Sequence, residues 1–181
     1  MAKSPVTIKK VIAQHVEELG FLLRQRSAAH RSPDWRLGDV RRLEERIEPH
    51  FDGLRIAAKT DLAGVAAHLK GEDPWTILAA GMALLELQTQ EAADEVAKAL
   101  LAAEPKQAGA IGRALVYGPI DLIVEPLRAA ADSAPPHVAA AAIEALAYHG
   151  RRGATPDRMV EFVRHEDPAI RAAGWRIAAL S

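Results

Sequence analysis

Four prolines, Pro74, Pro105, Pro136 and Pro168, stand 31, 31 and 32 residues apart, and each opens a similar apolar run: PWTILAAGMALLEL, PKQAGAIGRALVYG, PHVAAAAIEALAYHG and PAIRAAGWRIAAL. Proline is preorganised for the first position of a helix, where its missing N–H has no intrahelical partner to lose. The spacing therefore predicts four helices that start in register. The fifth residue after each proline is Ala79, Ala110, Ala141 and Ala173, and the tenth is Leu84, Leu115, Leu146 and Ala178. A column of small residues lets neighbouring helices approach closely, and a leucine column fills the gap between them. Shorter amphipathic stretches lie in between, at 61–70, 91–103, 120–131 and 156–165. The unit is a helix–turn–helix that recurs nearly four times, and units of this kind bury their apolar faces only by stacking on one another.

Composition supports helices throughout. Alanine supplies 37 of 181 residues and aromatics only 4%, a mixture that favours helix over sheet. Ahead of the repeats, Ile8, Val11, Ile12, Val16, Leu19, Leu22 and Leu23 form one apolar stripe on a helix over residues 6–31. Ser32-Pro33-Asp34 stops it, because the residue before a proline avoids the helical region. A second stripe, Leu37, Val40, Leu43, Ile47, Phe51 and Leu54, follows with a charged outer face. Pro49 falls inside this pattern and is expected to kink or split the helix near Glu45 to Glu48. The expected architecture is all-α: an N-terminal antiparallel helical hairpin over residues 1–58, leading an α–α superhelix of about four repeats over 59–181, the two forming one continuous unit.

Charge and residue types narrow the function classes. Lys and Arg number 23 against 24 Asp and Glu, a net charge of −1, so no global basic field draws in nucleic acid or anionic lipid. The absence of cysteine removes disulfides, thiolate metal ligands and thiol nucleophiles. The apolar stretch after Lys9 and Lys10 is too short for a secretory signal, and residues 74–87 are too few to span a bilayer, which takes about 20. The expected location is the cytoplasm.

The piece Glu166-Asp167-Pro168-Ala169-Ile170-Arg171-Ala172-Ala173 resembles the D-P-x-[VI]-R-x-A-A signature of short, alanine-rich HEAT-like repeats, as in phycobilin-lyase-like proteins and many bacterial scaffolds. Glu72-Asp73-Pro74-Trp75 echoes it, whereas the copies at Pro105 and Pro136 lack the aspartate and the arginine. The period is also shorter than that of ordinary HEAT units. In front, His15-x-Glu17-Glu18-x-x-Phe21-Leu22, with Leu43-x-Glu45-Arg46-Ile47-x-Pro49-His50-Phe51-Asp52-Gly53-Leu54-Arg55, looks like the head of an uncharacterised bacterial HEAT-like family whose genes are sometimes found near type VI secretion clusters. Members of that family are longer, so the resemblance implies a truncated form. It also implies a scaffold or accessory role and carries no catalytic residues.

Chemistry-bearing motifs are missing. No H-E-x-x-H, phosphate-binding glycine loop or G-x-S-x-G occurs, and His15 with Glu18 would supply only two ligands. No catalytic residue, metal site or cofactor is expected. Gly109 and Gly112 are read as permitting close packing. The usable signal is a ridge on the second helix of each repeat: Trp75, Lys106, His137 and Ala169; Met82, Arg113, Glu144 and Arg176; Glu86, Tyr117, Tyr148 and Leu180. Exposed arginines and aromatics anchor interfaces, so Arg113, Tyr117, Glu144, Tyr148 and Arg176 are the expected contacts to a protein partner.

Three further expectations complete the reading. The alternative is a nucleic-acid-binding or a lyase- or glycosylase-like helical-repeat protein, though a specific nucleic-acid groove is disfavoured despite the basic residues Arg24, Arg26, Arg31, Arg36, Arg41 and Arg42 and the pair Arg151-Arg152. Trp175 is read as a core residue or one awaiting a further repeat, and the last helix, with Ile170, Trp175, Ile177 and Leu180, as a face on which a second copy could pair. Charge reversal of Arg113 and Arg176 is expected to weaken partner capture without lowering the melting temperature.

Overall fold

The computed structural model describes residues 5–133, 135–151 and 153–180; Ser4, Arg152 and Ser181 lie outside them. Among the described residues the chain is 80% helical with no strand, in ten α-helices packed together. They are α1 (Pro5–Ala29), α2 (Leu37–Ala58), α3 (Leu62–Ala66), α4 (Pro74–Leu85), α5 (Gln90–Leu101), α6 (Pro105–Tyr117), α7 (Val124–Ser133), α8 (Pro136–Tyr148), α9 (Pro156–Val163) and α10 (Pro168–Leu180). Single 3₁₀ turns, Ala67–Lys70 and Asp121–Ile123, adjoin α3 and α7. No described helix is long and apolar enough to cross a membrane.

All four register prolines occupy the first position of their helices. Local hydrogen bonds fix most of these starts. The Asp73 carboxylate accepts from Thr76 N at 2.9 Å, and the Asp167 carboxylate accepts from Ala169 N at 2.7 Å. At α6 the Gln107 side-chain oxygen instead accepts from Glu104 N at 3.0 Å. Each such bond satisfies a donor that the helix itself cannot.

One expected break does not form. α2 runs through Pro49 as a single helix. Pro49 is exposed, while Ile47 before it and Leu54 after it are both buried. Packing thus holds both halves on the same neighbour, and the lost backbone bond falls on the outer face.

Packing follows the small-residue columns. α4 packs on α6, α6 on α8 and α8 on α10, while α1 packs on both α2 and α4. Ala79, Ala110, Ala141 and Ala173 are all buried, as are Leu84, Leu115 and Leu146. The closest approaches are made by glycine: a Cβ on Gly81 would stand 2.8 Å from the Ala114 Cβ, and one on Gly112 would stand 2.9 Å from the Ala141 Cβ. Gly109 differs from the packing expected of it. Nothing lies within 4 Å of its Cβ position, which faces open space. One cluster of buried side chains runs from Ile12 in α1 to Leu146 in α8, and a second, built on Phe162, Ile143, Ile170 and Ile177, joins α8, α9 and α10. No charged or polar side chain is buried among the described residues.

Polar ties cross between successive units at their ends. The Gln107 amide donates to the Lys70 and Gly71 carbonyls, both at 3.2 Å. His137 Nε2 lies 2.9 Å from the Ala103 carbonyl and His149 Nε2 2.9 Å from that of Leu115. A carbonyl only accepts, so Nε2 carries the proton in both rings.

Two alanine substitutions three residues apart on α6 should act in opposite directions. Gly112→Ala forces a methyl into the Ala141 contact and should destabilise by about 1–3 kcal/mol. Gly109→Ala meets nothing and should stabilise by up to about 1 kcal/mol through helix propensity alone. Urea denaturation of both variants checks the pair.

Candidate functional site

The register of α4, α6, α8 and α10 sets which side chains reach solvent together. Three positions of each helix (one, eight and twelve after the proline) fall on one face, beside the alanine column and opposite the buried leucine column. On that face lies a groove of about 600 Å³ with Lys106, Arg113, Tyr117, His137, Glu144 and Arg176 on its walls. Its floor is apolar, from Ala110, Ala140, Ala141, Ile170 and Ala173. At Arg113 and Tyr117 the groove continues into a hollow of about 270 Å³ bounded by Trp75, by Arg26 of α1 and by His30 and Arg31 in the turn after it.

Four of the five expected contact residues, Arg113, Tyr117, Glu144 and Arg176, therefore line one groove. Tyr148 is exposed but does not line it. Its ring stands edge-on to His149, with centroids 5.7 Å apart.

Their electrostatic states differ. The Arg113 guanidinium sits 4.5 Å from the Trp75 ring centre, a cation–π contact worth about 0.5–1 kcal/mol at an exposed site. Arg176 makes a two-point ion pair with Glu144, Nε to Oε1 at 2.5 Å and a second guanidinium nitrogen to Oε2 at 2.8 Å. Hydrogen bonding to Glu144 raises the Arg176 pKa further. Reversing Arg176 would set two carboxylates against each other across the α8–α10 contact, so the expected neutrality of that change does not hold for this residue.

Corrections extend to the last helix. Trp175 is 65% exposed, which removes the core reading and leaves the other, whereas Ile170 and Ile177 are buried and offer no free face. The spacing of one helical turn does not say which neighbour arrives. Here α9 brings Phe162 under Gly174, whose Cβ position stands 2.9 Å from Phe162 backbone, and that contact turns Trp175 outward.

A second polar cluster joins α1 to α2. His15 and His50 meet through their Nδ1 atoms at 3.1 Å, and Glu18, rather than pairing with His15, lies 3.2 Å from His50 Nε2. Burial pushes the His15 pKa below 6.5, the nearby His50 adds to this, and Glu18 partly opposes it. Burial also lowers that of His68, against a pull from Glu17. Among the described residues no group of three or more histidines and carboxylates could hold a metal ion.

The Trp75–Arg113 pairing and the contribution of α1 were not read from the sequence. Both Trp75 and Arg113 sit on the ridge, but their meeting depends on the stagger between α4 and α6, which no single helix encodes. Comparison with protein-family models, curated proteins and solved structures finds no match.

The exposed Arg176–Glu144 pair should contribute a few tenths of a kcal/mol to about 1 kcal/mol. A double-mutant cycle of Arg176→Gln and Glu144→Gln should return a coupling energy in that range. The histidines predict a pH effect. With folded-state pKa values below 6.5, His15 and His68 stay neutral while the unfolded chain takes up protons. Stability is thus complete above pH 6.5 and falls as pH drops towards the folded-state values. Denaturant titrations at pH 7.5 and 5.5 should show this loss, and it should be smaller in His15→Gln and His68→Gln.

Proposed function

We propose that this chain is a non-enzymatic protein-interaction scaffold of the cytoplasm, a short HEAT-like solenoid led by a helical hairpin, whose groove captures a segment of a partner protein. The reading rests on one observation above others: the groove presents Arg113 and Tyr117 beside Trp75 on an apolar floor. Arginine, tyrosine and tryptophan dominate the binding energy of interfaces. The successive contacts of α4, α6, α8 and α10 support the stacked arrangement, and those of α1 with α2 the hairpin. A surface made of packed helices is preformed, so association loses little ordering entropy.

An enzymatic reading finds less support. The groove carboxylates are engaged, Glu144 with Arg176 and Asp167 at the start of α10, and the histidines with lowered pKa values lie on α1 and in the turn after α3. A nucleic-acid reading finds less support as well. Arg26, Arg41 and Arg42 are paired with Glu44, Glu45 and Asp39, so half of the six arginines near the α1–α2 turn are neutralised in place.

The test is affinity capture from native cytosol at two salt concentrations with wild-type protein and Arg113→Glu. One or a few proteins should be retained by wild type and lost by the variant, with the melting temperature unchanged within about 2 °C because only an exposed contact is removed. Identical capture by both proteins, or recovery only of nucleic acid that disappears at high salt, would overturn the scaffold reading.

A further inference from the structure

The charges lining the groove are not equally available. Glu144 is engaged by Arg176 through both carboxylate oxygens. Asp167 accepts from the Ala169 backbone, and His137 donates to the Ala103 carbonyl. Lys106 and Arg113 have no carboxylate partner among the described residues, and both are exposed. With Glu144 and Arg176 cancelling each other, two unpaired cations face the single carboxylate of Asp167, so the groove is net cationic.

Arg113 is also positioned for recognition. Trp75 covers one face of its guanidinium, which restrains the side chain and leaves the in-plane N–H groups without a partner. That fork matches a carboxylate through two parallel bonds. Lys106 stands seven residues earlier on the same helix, about 10 Å along the axis at 1.5 Å per residue. An extended segment spans that distance in about three residues. Beside these two cations the floor is made of alanine side chains and Ile170.

On these grounds we infer that the groove binds an acidic, amphipathic segment of the partner protein: one carboxylate on Arg113, a second on Lys106, and an apolar side chain between them against Ala110 and Ala141. The inference rests on the scaffold reading and names the chemistry of its partner. A phosphodiester backbone fits less well, because two free cations would release few counterions.

The experiment is selection of random 12-residue peptides displayed on phage against the full chain, without assuming a sequence. Enriched peptides should carry at least two Asp or Glu with an apolar residue nearby. Their recovery should fall at least about tenfold on Arg113→Glu, the scale of a central interface residue. Against the double variant Lys106→Glu with Arg113→Glu, selection should turn to Lys- and Arg-containing peptides. Enrichment of neutral or basic peptides by wild type, or acidic peptides kept by Arg113→Glu, would overturn the acidic assignment and leave the scaffold reading standing. No enrichment at all would overturn both. Salt-sensitive binding of a 20-nucleotide single-stranded DNA lost on Arg113→Glu would give the groove to nucleic acid instead. A dimer in light scattering that Arg113→Glu dissociates would give it to a second copy of the chain. Circular dichroism melting of both variants confirms that each is folded.

Discussion

The backbone-close contact between successive second helices is what the rest of the structure depends on. Where Gly81 meets Ala114 and Gly112 meets Ala141, no side chain larger than a methyl separates the two helices. Close packing of this kind gains dispersion contacts that a looser pairing would forfeit, and it tolerates little added volume. It also sets the stagger of each helix on the next, and with it every lateral neighbour on the exposed face.

From that contact the distribution of polar groups follows. Helices this close leave no room for a side-chain hydrogen-bond network between them, and no charged or polar side chain is buried among the described residues. Between these helices polar chemistry is displaced to two places: the helix ends, where Gln107, His137 and His149 reach carbonyls of the preceding unit, and the open face, where Arg113 finds Trp75 and Arg176 finds Glu144. The groove is the space left between those open-face side chains, and its apolar floor is the outer edge of the same alanine columns that permit the close approach.

Particular residues show how far the sequence could be read. The starts of α4, α6, α8 and α10 were legible because proline acts on its own helix, and the burial of Ala79, Ala110 and Ala141 was legible because a shared register needs a shared small residue. Pro49 does not split α2, because its local effect is outweighed by the packing of Ile47 and Leu54. Gly109 misled, and Trp175 was left between two readings, for a related reason. Periodicity places a residue on a face without saying whether anything covers that face, and here α9 covers Gly174 while open groove lies over Gly109. Of the candidate contacts, Arg113, Tyr117, Glu144 and Arg176 share the groove as their common register suggested, whereas Tyr148, in register with Tyr117, falls outside it.

The division between the two levels is one of range. Helix content, helix starts, the buried columns and the identity of the ridge residues were determined by the sequence, because each depends on interactions within about one helical turn or on a proline at a first position. Which ridge residues touch was decided only by the tertiary structure. Arg113 with Trp75 and Arg176 with Glu144 join residues 38 and 32 apart in the chain. Their distances depend on the offset at which two helices settle against each other, and that offset is fixed where glycine and alanine meet.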